Sequence, residues 1–267
     1  MILTNRQKYE IEYHRKHAEL HKNILEEAFS YEVITANKRY WHNASWDMYT
    51  FILKQQVKDK NILVVGCGFG DDALYLAKMG GNVYAFDLSP ESLKIAKQMA
   101  SREKLNIDFR NIPAEKLDYE SDFFDYIIAR DILHHVEIQK TMNEILRVSK
   151  NRALFILNEV YTHSLLNKIR HSYIIEKKIY PRMQNFVYQG NIYITEDERK
   201  LNECDIAFIR RFFGKIVLKK HFDFLVNRII PNRWGIVNKL DRLMLIIMGP
   251  FARLLAGRVL LAGRIKK

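Results

Sequence analysis

The rhythm of apolar and polar positions changes near residue 60. Upstream, Tyr9 to Phe29 lacks Pro and Gly and is rich in Glu, Lys, Leu and Ala, which predicts a long helix. Trp46 to Val57 reads as a second helix. Then Asn61-Ile-Leu-Val-Val forms a short, unbroken apolar run closed by Gly66, the pattern of a parallel strand buried on both faces. The same beat repeats downstream. Asp71 to Met79 is helical, Asn82 to Asp87 is a strand, and Ser89-Pro90-Glu91 opens a helix reaching about Glu103, with Ser as cap and Pro at the first position. Strands follow at Ile107–Ile112, Phe124–Arg130 and Ala153–Leu157, with a helix over Ile138–Val148. Strands alternating with helices imply βαβ units and right-handed crossovers.

After Glu159 the beat stops. Residues 161–195 hold five tyrosines (161, 173, 180, 188 and 193) with no period. Thr195-Glu-Asp-Glu predicts a capped helix running to Phe212. Lys215–Phe224 alternates as a strand and Arg258–Ile265 reads as another, with an apolar decade between them from Leu243 to Ala252, interrupted by Gly249-Pro250.

Composition narrows the class. A chain of 267 residues with 48% hydrophobic positions can bury a large core, which excludes disorder and small disulfide scaffolds. Cys67 and Cys204 are too few for a disulfide framework and suit a reducing compartment. The first residues carry no apolar stretch of a secretory signal, and the apolar decade is too short to span a bilayer. The expectation is a cytoplasmic protein, soluble or peripheral at a membrane. Charge is divided unevenly. Residues 1–150 hold 21 Lys+Arg against 22 Asp+Glu, while residues 151–267 hold 22 against 9, so the excess of +12 belongs to the C-terminal part. That part is expected to meet something anionic.

The segment Val64-Val-Gly66-Cys67-Gly68-Phe69-Gly70-Asp71-Asp72 leaves a strand and enters a helix. Glycines there permit positive φ and close approach of a ligand to the backbone. Asp87, at the end of the next strand, is placed to accept hydrogen bonds from ribose hydroxyls. Two acids in the first turn of the helix would repel a pyrophosphate but suit a cation, which favours S-adenosylmethionine over a dinucleotide.

Four motifs in order carry a resemblance: Val64-Val-Gly-Cys-Gly-Phe-Gly, Val83-Tyr-Ala-Phe-Asp-Leu-Ser-Pro, Phe124-Asp-Tyr-Ile-Ile-Ala-Arg-Asp-Ile-Leu-His-His-Val and Glu144-Ile-Leu-Arg-Val. Residues 61–160 resemble the class I S-adenosylmethionine-dependent methyltransferases, in particular the UbiE-like or type 11 group. The resemblance implies an α/β, Rossmann-like, seven-stranded, mostly parallel sheet with an antiparallel last strand and helices on both faces. Lys215–Phe224 would be its sixth strand and Arg258–Ile265 its seventh. Residues 1–57 would form a helical N-terminal cap, and 58–267 the methyltransferase domain with insertions at about 161–195 and 225–256. Gly66, Cys67, Gly68, Gly70 and Asp71 would line the cofactor, Asp87 would hold its ribose, Leu88 would pack on adenine, and the backbone near Arg130 would face the methionine portion. Where similar enzymes carry Asp-Ala after the third strand, this chain reads Pro113-Ala114, so the adenine contact falls to Ala114, Glu115 or backbone.

Transfer of a methyl group needs a base only when the acceptor loses a proton. His134 and His135 follow the fourth strand and are candidate bases, with His135 preferred; the alternative is that one packs in the core and the other shapes the wall. Glu159 ends the fifth strand and either faces the acceptor or is solvated. Trp41 and His42 are candidates to cover the substrate, or ordinary helix packing. Glu10, His14, His17 and His21 share one helix face, read as solvated or lining a lid rather than as a metal site; no metal is expected. The basic-flanked segment 225–256 either lies on an anionic membrane and receives a lipid-linked acceptor or packs across the sheet. The reading is O-methylation of a small anionic or lipid-linked acceptor. The alternatives are a tRNA or protein methyltransferase, or a catalytically silent binding scaffold; nucleic acid is the weaker partner, because no Asn/Asp-Pro-Pro-aromatic signature follows the fourth strand.

Overall fold

The computed structural model describes residues 4–27, 29–35, 44–170, 172–173, 178, 200–225 and 235–267. Its first helix, α1 (Asn5–Leu20), starts earlier than its apolar pattern suggests because Thr4 and Gln7 cap each other: Gln7 N–H donates to the Thr4 hydroxyl at 3.2 Å and Thr4 N–H to the Gln7 side chain at 3.0 Å. It also stops earlier, at His21, where a 3-10 turn (Lys22–Leu25) takes over instead of a helix to Phe29. After the short α2 (Glu32–Thr35), α3 (Ala44–Ile52) closes the region that precedes the first strand.

Seven strands then form one sheet in the order β3-β2-β1-β4-β5-β7-β6. Their spans are β1 Asn61–Val65, β2 Asn82–Phe86, β3 Ile107–Arg110, β4 Phe124–Arg130, β5 Ser149–Val160, β6 Phe213–Phe222 and β7 Arg258–Ile265. The first five pair in parallel, and β7 runs antiparallel between β5 and β6. The crossover helices are α4 (Asp71–Lys78), α5 (Pro90–Arg102) and α6 (Ile138–Val148), with α5 capped by Ser89 and opened by Pro90 as the sequence predicts. The seven-stranded, mostly parallel sheet with an antiparallel last strand expected from the motifs is the one observed.

The sheet has a core on each face because its central strands carry unbroken apolar runs, Ile62–Val65 in β1, Tyr126–Ala129 in β4 and Ala153–Leu157 in β5. Leu63, Ile127 and Phe155 meet Met142 and Ile145 of α6 on one side. Ile62, Val64, Ile128 and Ile156 meet Met48 and Ile52 of α3 and Leu76 of α4 on the other. Each such side chain contributes about 1.5–3 kcal/mol on burial, so this sandwich supplies the stability that lets the strand ends carry function.

Beyond β5 lie α7 (Ser164–Arg170) and α8 (Glu203–Arg210). The predicted helix start at Thr195 falls outside the described residues; α8 is capped by Asn202, whose side chain accepts from Cys204 and Asp205 N–H at 2.8 and 3.1 Å. Between β6 and β7 come α9 (Gly235–Ile247), a 3-10 turn at Gly249–Phe251 and α10 (Ala252–Leu255), broken at Gly249-Pro250 as expected. Phe222 at the end of β6 pairs with Arg258 at the start of β7, and Arg258 with Val160 at the end of β5. The connection holding α9 therefore leaves from the carboxyl edge of the parallel strands. Among the described residues no helix is long and apolar enough to cross a membrane.

Candidate active site

At the carboxyl edge the chain between β1 and α4 turns sharply, with Gly66, Gly68 and Gly70 at φ +62°, +51° and +94°. A Cβ at Gly66 would stand 2.5 Å from the Ile132 side chain, so the turn is both left-handed and close-packed. Gly68 differs. Nothing lies within 4 Å of where its Cβ would be, and that open space belongs to a cavity of about 340 Å³. A volume of this size is in the range of small-ligand sites.

Asp87, one residue past β2, is fixed by its neighbours: Gly68 N–H donates to one carboxylate oxygen at 2.8 Å and Ser89 N–H to the other at 2.9 Å. Asn111 holds the same corner by donating to the carbonyls of Asp87 and Leu88 at 2.9 and 3.0 Å. Both carboxylate oxygens keep lone pairs for hydroxyl donors. Leu88, Ile112, Pro113 and Ala114 add an apolar slot to the cavity wall. Glu115 also lines it, but it already receives Gln7 Nε2 at 3.1 Å and Glu137 N–H at 3.0 Å.

The two acids opening α4 have separate fates. Asp72 is buried, accepts from the Tyr49 hydroxyl and pairs with Arg130 Nε at 2.8 Å. The structure thus supplies its own cation for Asp72. Arg130 reaches the cavity as a wall held by that ion pair, which raises the guanidinium pKa further above its ordinary value. Asp71 lines the cavity, and among the described residues it has no ion pair of its own. Burial, with the nearby Asp72, holds its carboxyl above the usual range, partly offset by Arg130. A cationic ligand group would reverse that shift. Cys67 also borders the cavity, and burial, followed by Asp87, pushes its thiol pKa well up, which leaves it protonated and unsuited to nucleophilic attack.

The histidine pair after β4 is split. His134 is buried, its Nδ1 2.8 Å from Glu159 Oε2. Glu159 is itself fully buried and accepts Ile132 and Leu133 N–H at 2.8 and 2.7 Å on its other oxygen. Both therefore brace the loop behind the wall, and neither is among the residues lining the cavity. His135 does line it, with Nδ1 2.9 Å from Glu10 Oε1. Trp41 and His42 lie outside the described residues.

The roof is α1. Gln7, Glu10, His14 and His17 follow one another at helical spacing and all face the cavity. His17 stacks on Phe69 of the glycine loop with ring centres 5.2 Å apart, and the His14 and His135 rings lie 6.3 Å apart. His14 is held below its ordinary pKa by burial, against the pull of Asp87 and Glu10. Of the face that the sequence offered as solvated or lid-lining, His14 and His17 line the cavity, while His21 is exposed. Among the described residues no group of three or more His, Cys, Asp or Glu is arranged to hold a metal ion. Sequence reasoning missed Gln7 as a partner of Glu115 and Glu10 as the partner of His135. The polar positions 7, 10, 14 and 17 recurring on one helix face were the available signal.

Residues 63–157 match the family model described as a methyltransferase domain. The matched stretch is just over a third of the chain and runs from β1 to β5. Curated relatives align over the same stretch: a ubiquinone biosynthesis O-methyltransferase of Methylocella silvestris is 39% identical over 75 residues, covering 28% of this chain and 29% of the relative. The ubiquinone/menaquinone biosynthesis C-methyltransferase UbiE of Zymomonas mobilis is 36% identical over 109 residues, covering 40% and 45%. The chain thus spans less than half the length of these relatives. Among solved structures, magnesium protoporphyrin IX methyltransferase (ChlM) from Synechocystis PCC 6803 with bound SAH aligns over 98% of this chain and 100% of that one, at TM-score 0.58 and 15% identity. The [4+2]-cyclase SpnF aligns over 85% and 86% at TM-score 0.52 and 20% identity. These likenesses establish the fold alone. That a cyclase shares it means the reaction has to be argued from the site.

Proposed function

We propose that the cavity binds S-adenosylmethionine and that the protein transfers its methyl group to a small, lipid-linked acceptor hydroxyl of the quinone-precursor type. The observation that carries the reading is one cavity in which Asp87, the open backbone at Gly68, the unpaired Asp71 and the Glu10–His135 pair all meet. When bound, the cofactor supplies a methyl group on a positively charged sulfur. Asp87 would accept the ribose hydroxyls, the slot of Leu88, Ile112, Pro113 and Ala114 would take the adenine, and Asp71 would meet the ammonium group. The names of the curated relatives support the acceptor class and the preference for oxygen.

His135 would move the proton. Its Nδ1 faces the Glu10 carboxylate, so the N–H sits there and Nε2 keeps the lone pair that can accept a hydroxyl proton. His134 faces Glu159 instead, and its role is to hold the loop that carries His135.

Calorimetry with S-adenosylmethionine tests the cofactor half. Asp87→Ala should weaken binding at least about tenfold, the size of a lost charge-assisted hydrogen bond; no binding by the unaltered protein sinks the reading. Turnover on catechol acceptors with and without a prenyl tail tests the other half. Glu10→Gln should lower kcat while leaving cofactor binding unchanged, and His135→Ala should lower kcat by about 100-fold. Unchanged kcat in both variants would remove the base from the mechanism.

A further inference from the structure

The helix α9 is built inside out. Its side toward the protein is largely polar: beside Leu245, Asn238 and Asp241 are buried, Asp241 accepts Phe224 and Leu225 N–H at 3.0 and 2.6 Å, and Arg242 pairs with Asp47 of α3 at 2.6 Å. Its apolar stripe points away, with Ile236 77%, Leu243 50% and Ile247 75% exposed, and Leu240 and Met244 between them. Phe251 in the following turn is 64% exposed. None of the described elements covers this face. A contiguous apolar helix face left in water marks an interaction site.

Beside it lies a cleft of about 270 Å³ between β6 and α9, lined by Lys219, Lys220, His221, Arg242, Leu245 and Ile246. Asp47 is the acid that answers Lys220 and Arg242, at 2.7 and 2.6 Å. Lys219, Arg210 and Arg253 stand near enough to repel one another, and partial burial together with those two guanidiniums depresses the Lys219 pKa. Among the described residues Asp47 is the one acid paired with this group of cations, while Lys219 faces Arg210 and Arg253; such an excess of cations next to an exposed apolar stripe fits a surface that offers phosphate groups above hydrocarbon. The connection carrying α9 leaves from the carboxyl edge of the sheet, where the cofactor cavity also lies.

We propose that the outer face of α9 with Phe251 docks on an anionic lipid bilayer and that the β6–α9 cleft takes a lipid phosphate headgroup. The bilayer accounts for both halves of the surface at once, since neither a soluble phosphate nor an RNA would use the apolar stripe. Docking at this edge would bring the methyltransferase domain to a lipid-linked acceptor, a step that rests on the proposed function; the docking itself does not.

Flotation with vesicles tests it, comparing phosphatidylcholine with an equimolar mixture of phosphatidylcholine and phosphatidylglycerol. The unaltered protein should float with the mixture only, and less at high salt. The variant Leu243→Ser/Ile247→Ser/Phe251→Ser and the variant Lys219→Glu/Arg253→Glu should each lose binding by about tenfold or more. Both variants should keep the original thermal midpoint and calorimetric affinity for S-adenosylmethionine, so a failure here leaves the proposed function standing, and the reverse. The proposal is overturned by equal flotation with both vesicle types, by normal flotation of the serine variant, or by a lowered midpoint that shows the stripe packs internally. It is also overturned by a dimer that the serine changes disperse, by short RNA that binds the serine variant and the unaltered protein alike while vesicles bind neither, or by glycerol phosphate binding without any vesicle binding.

Discussion

Two helices of the protein carry amphipathic sequences of similar length and point them in opposite directions. In α6 the side toward the sheet is Thr141, Met142, Ile145 and Val148, all buried, while Glu144 and Arg147 pair outward at 2.9 Å and Arg147 donates to the carbonyls of Leu117 and Tyr119. In α9 the inward side is Asn238, Asp241 and Leu245, and the apolar stripe faces outward. Periodicity marks a stripe without saying what it meets. What decides is the partner surface available: α6 lies over an apolar sheet face, whereas α9 meets two free backbone N–H groups at Phe224 and Leu225 and the carboxylate of Asp47.

Substitutions should invert between the two. Ile145→Ala in α6 removes a fully buried side chain and should cost about 2–5 kcal/mol. Leu243→Ala in α9, at an exposed position, should stay within about 0.5 kcal/mol. Urea unfolding measures both, and equal costs would break the contrast. The polar side of α9 should behave as α6's apolar side does. Asp241→Ala strands the Phe224 and Leu225 N–H groups and should cost about 1–3 kcal/mol. A neutral Asp241→Ala would mean that the inward face of α9 contributes no hold on the protein.

The same contrast explains what was legible in the sequence. The glycine loop, Asp87 and the five parallel strands were readable because each depends on neighbours close in sequence: a turn, a strand end, an unbroken apolar run. So was the seventh strand's direction, through the ordered motifs. The Glu10–His135 pair was not, because it joins residues 125 positions apart and exists only when α1 lies over the cavity. The division of labour between His134 and His135 was open for a related reason. The two sit side by side in the turn after β4, and only the fold says that Glu159 waits on one of them. Asp72 looked like a ligand acid beside Asp71 because the approach of Arg130 and Tyr49 from other elements is invisible locally. The direction of α9 belongs to the same class: it is set by what β6 and α3 present to it.

The smallest effect probes the cleft beside α9 through pH. His221 lines that cleft, and burial, with Lys219 and Arg253 nearby, holds its pKa down to about 4 against the ordinary 6.5. In the folded protein it is therefore neutral at pH 5, whereas in the unfolded chain it takes up a proton below about pH 6.5. Stability should be level above that value on its account and fall as the pH drops from 6.5 toward 4. Allowing for its partial exposure, the loss should be about 1 kcal/mol. His14 and His17, also held low, add their own slopes, so the quantity to read is the difference between the unaltered protein and His221→Gln. That difference should vanish above pH 7 and open on acidification. Anionic vesicles should shrink it, because phosphate groups in the cleft would answer Lys219 and Arg253 and let His221 charge at a higher pH. Neutral vesicles should leave it unchanged. A difference that persists in full with anionic vesicles would place the lipid phosphate elsewhere than between β6 and α9.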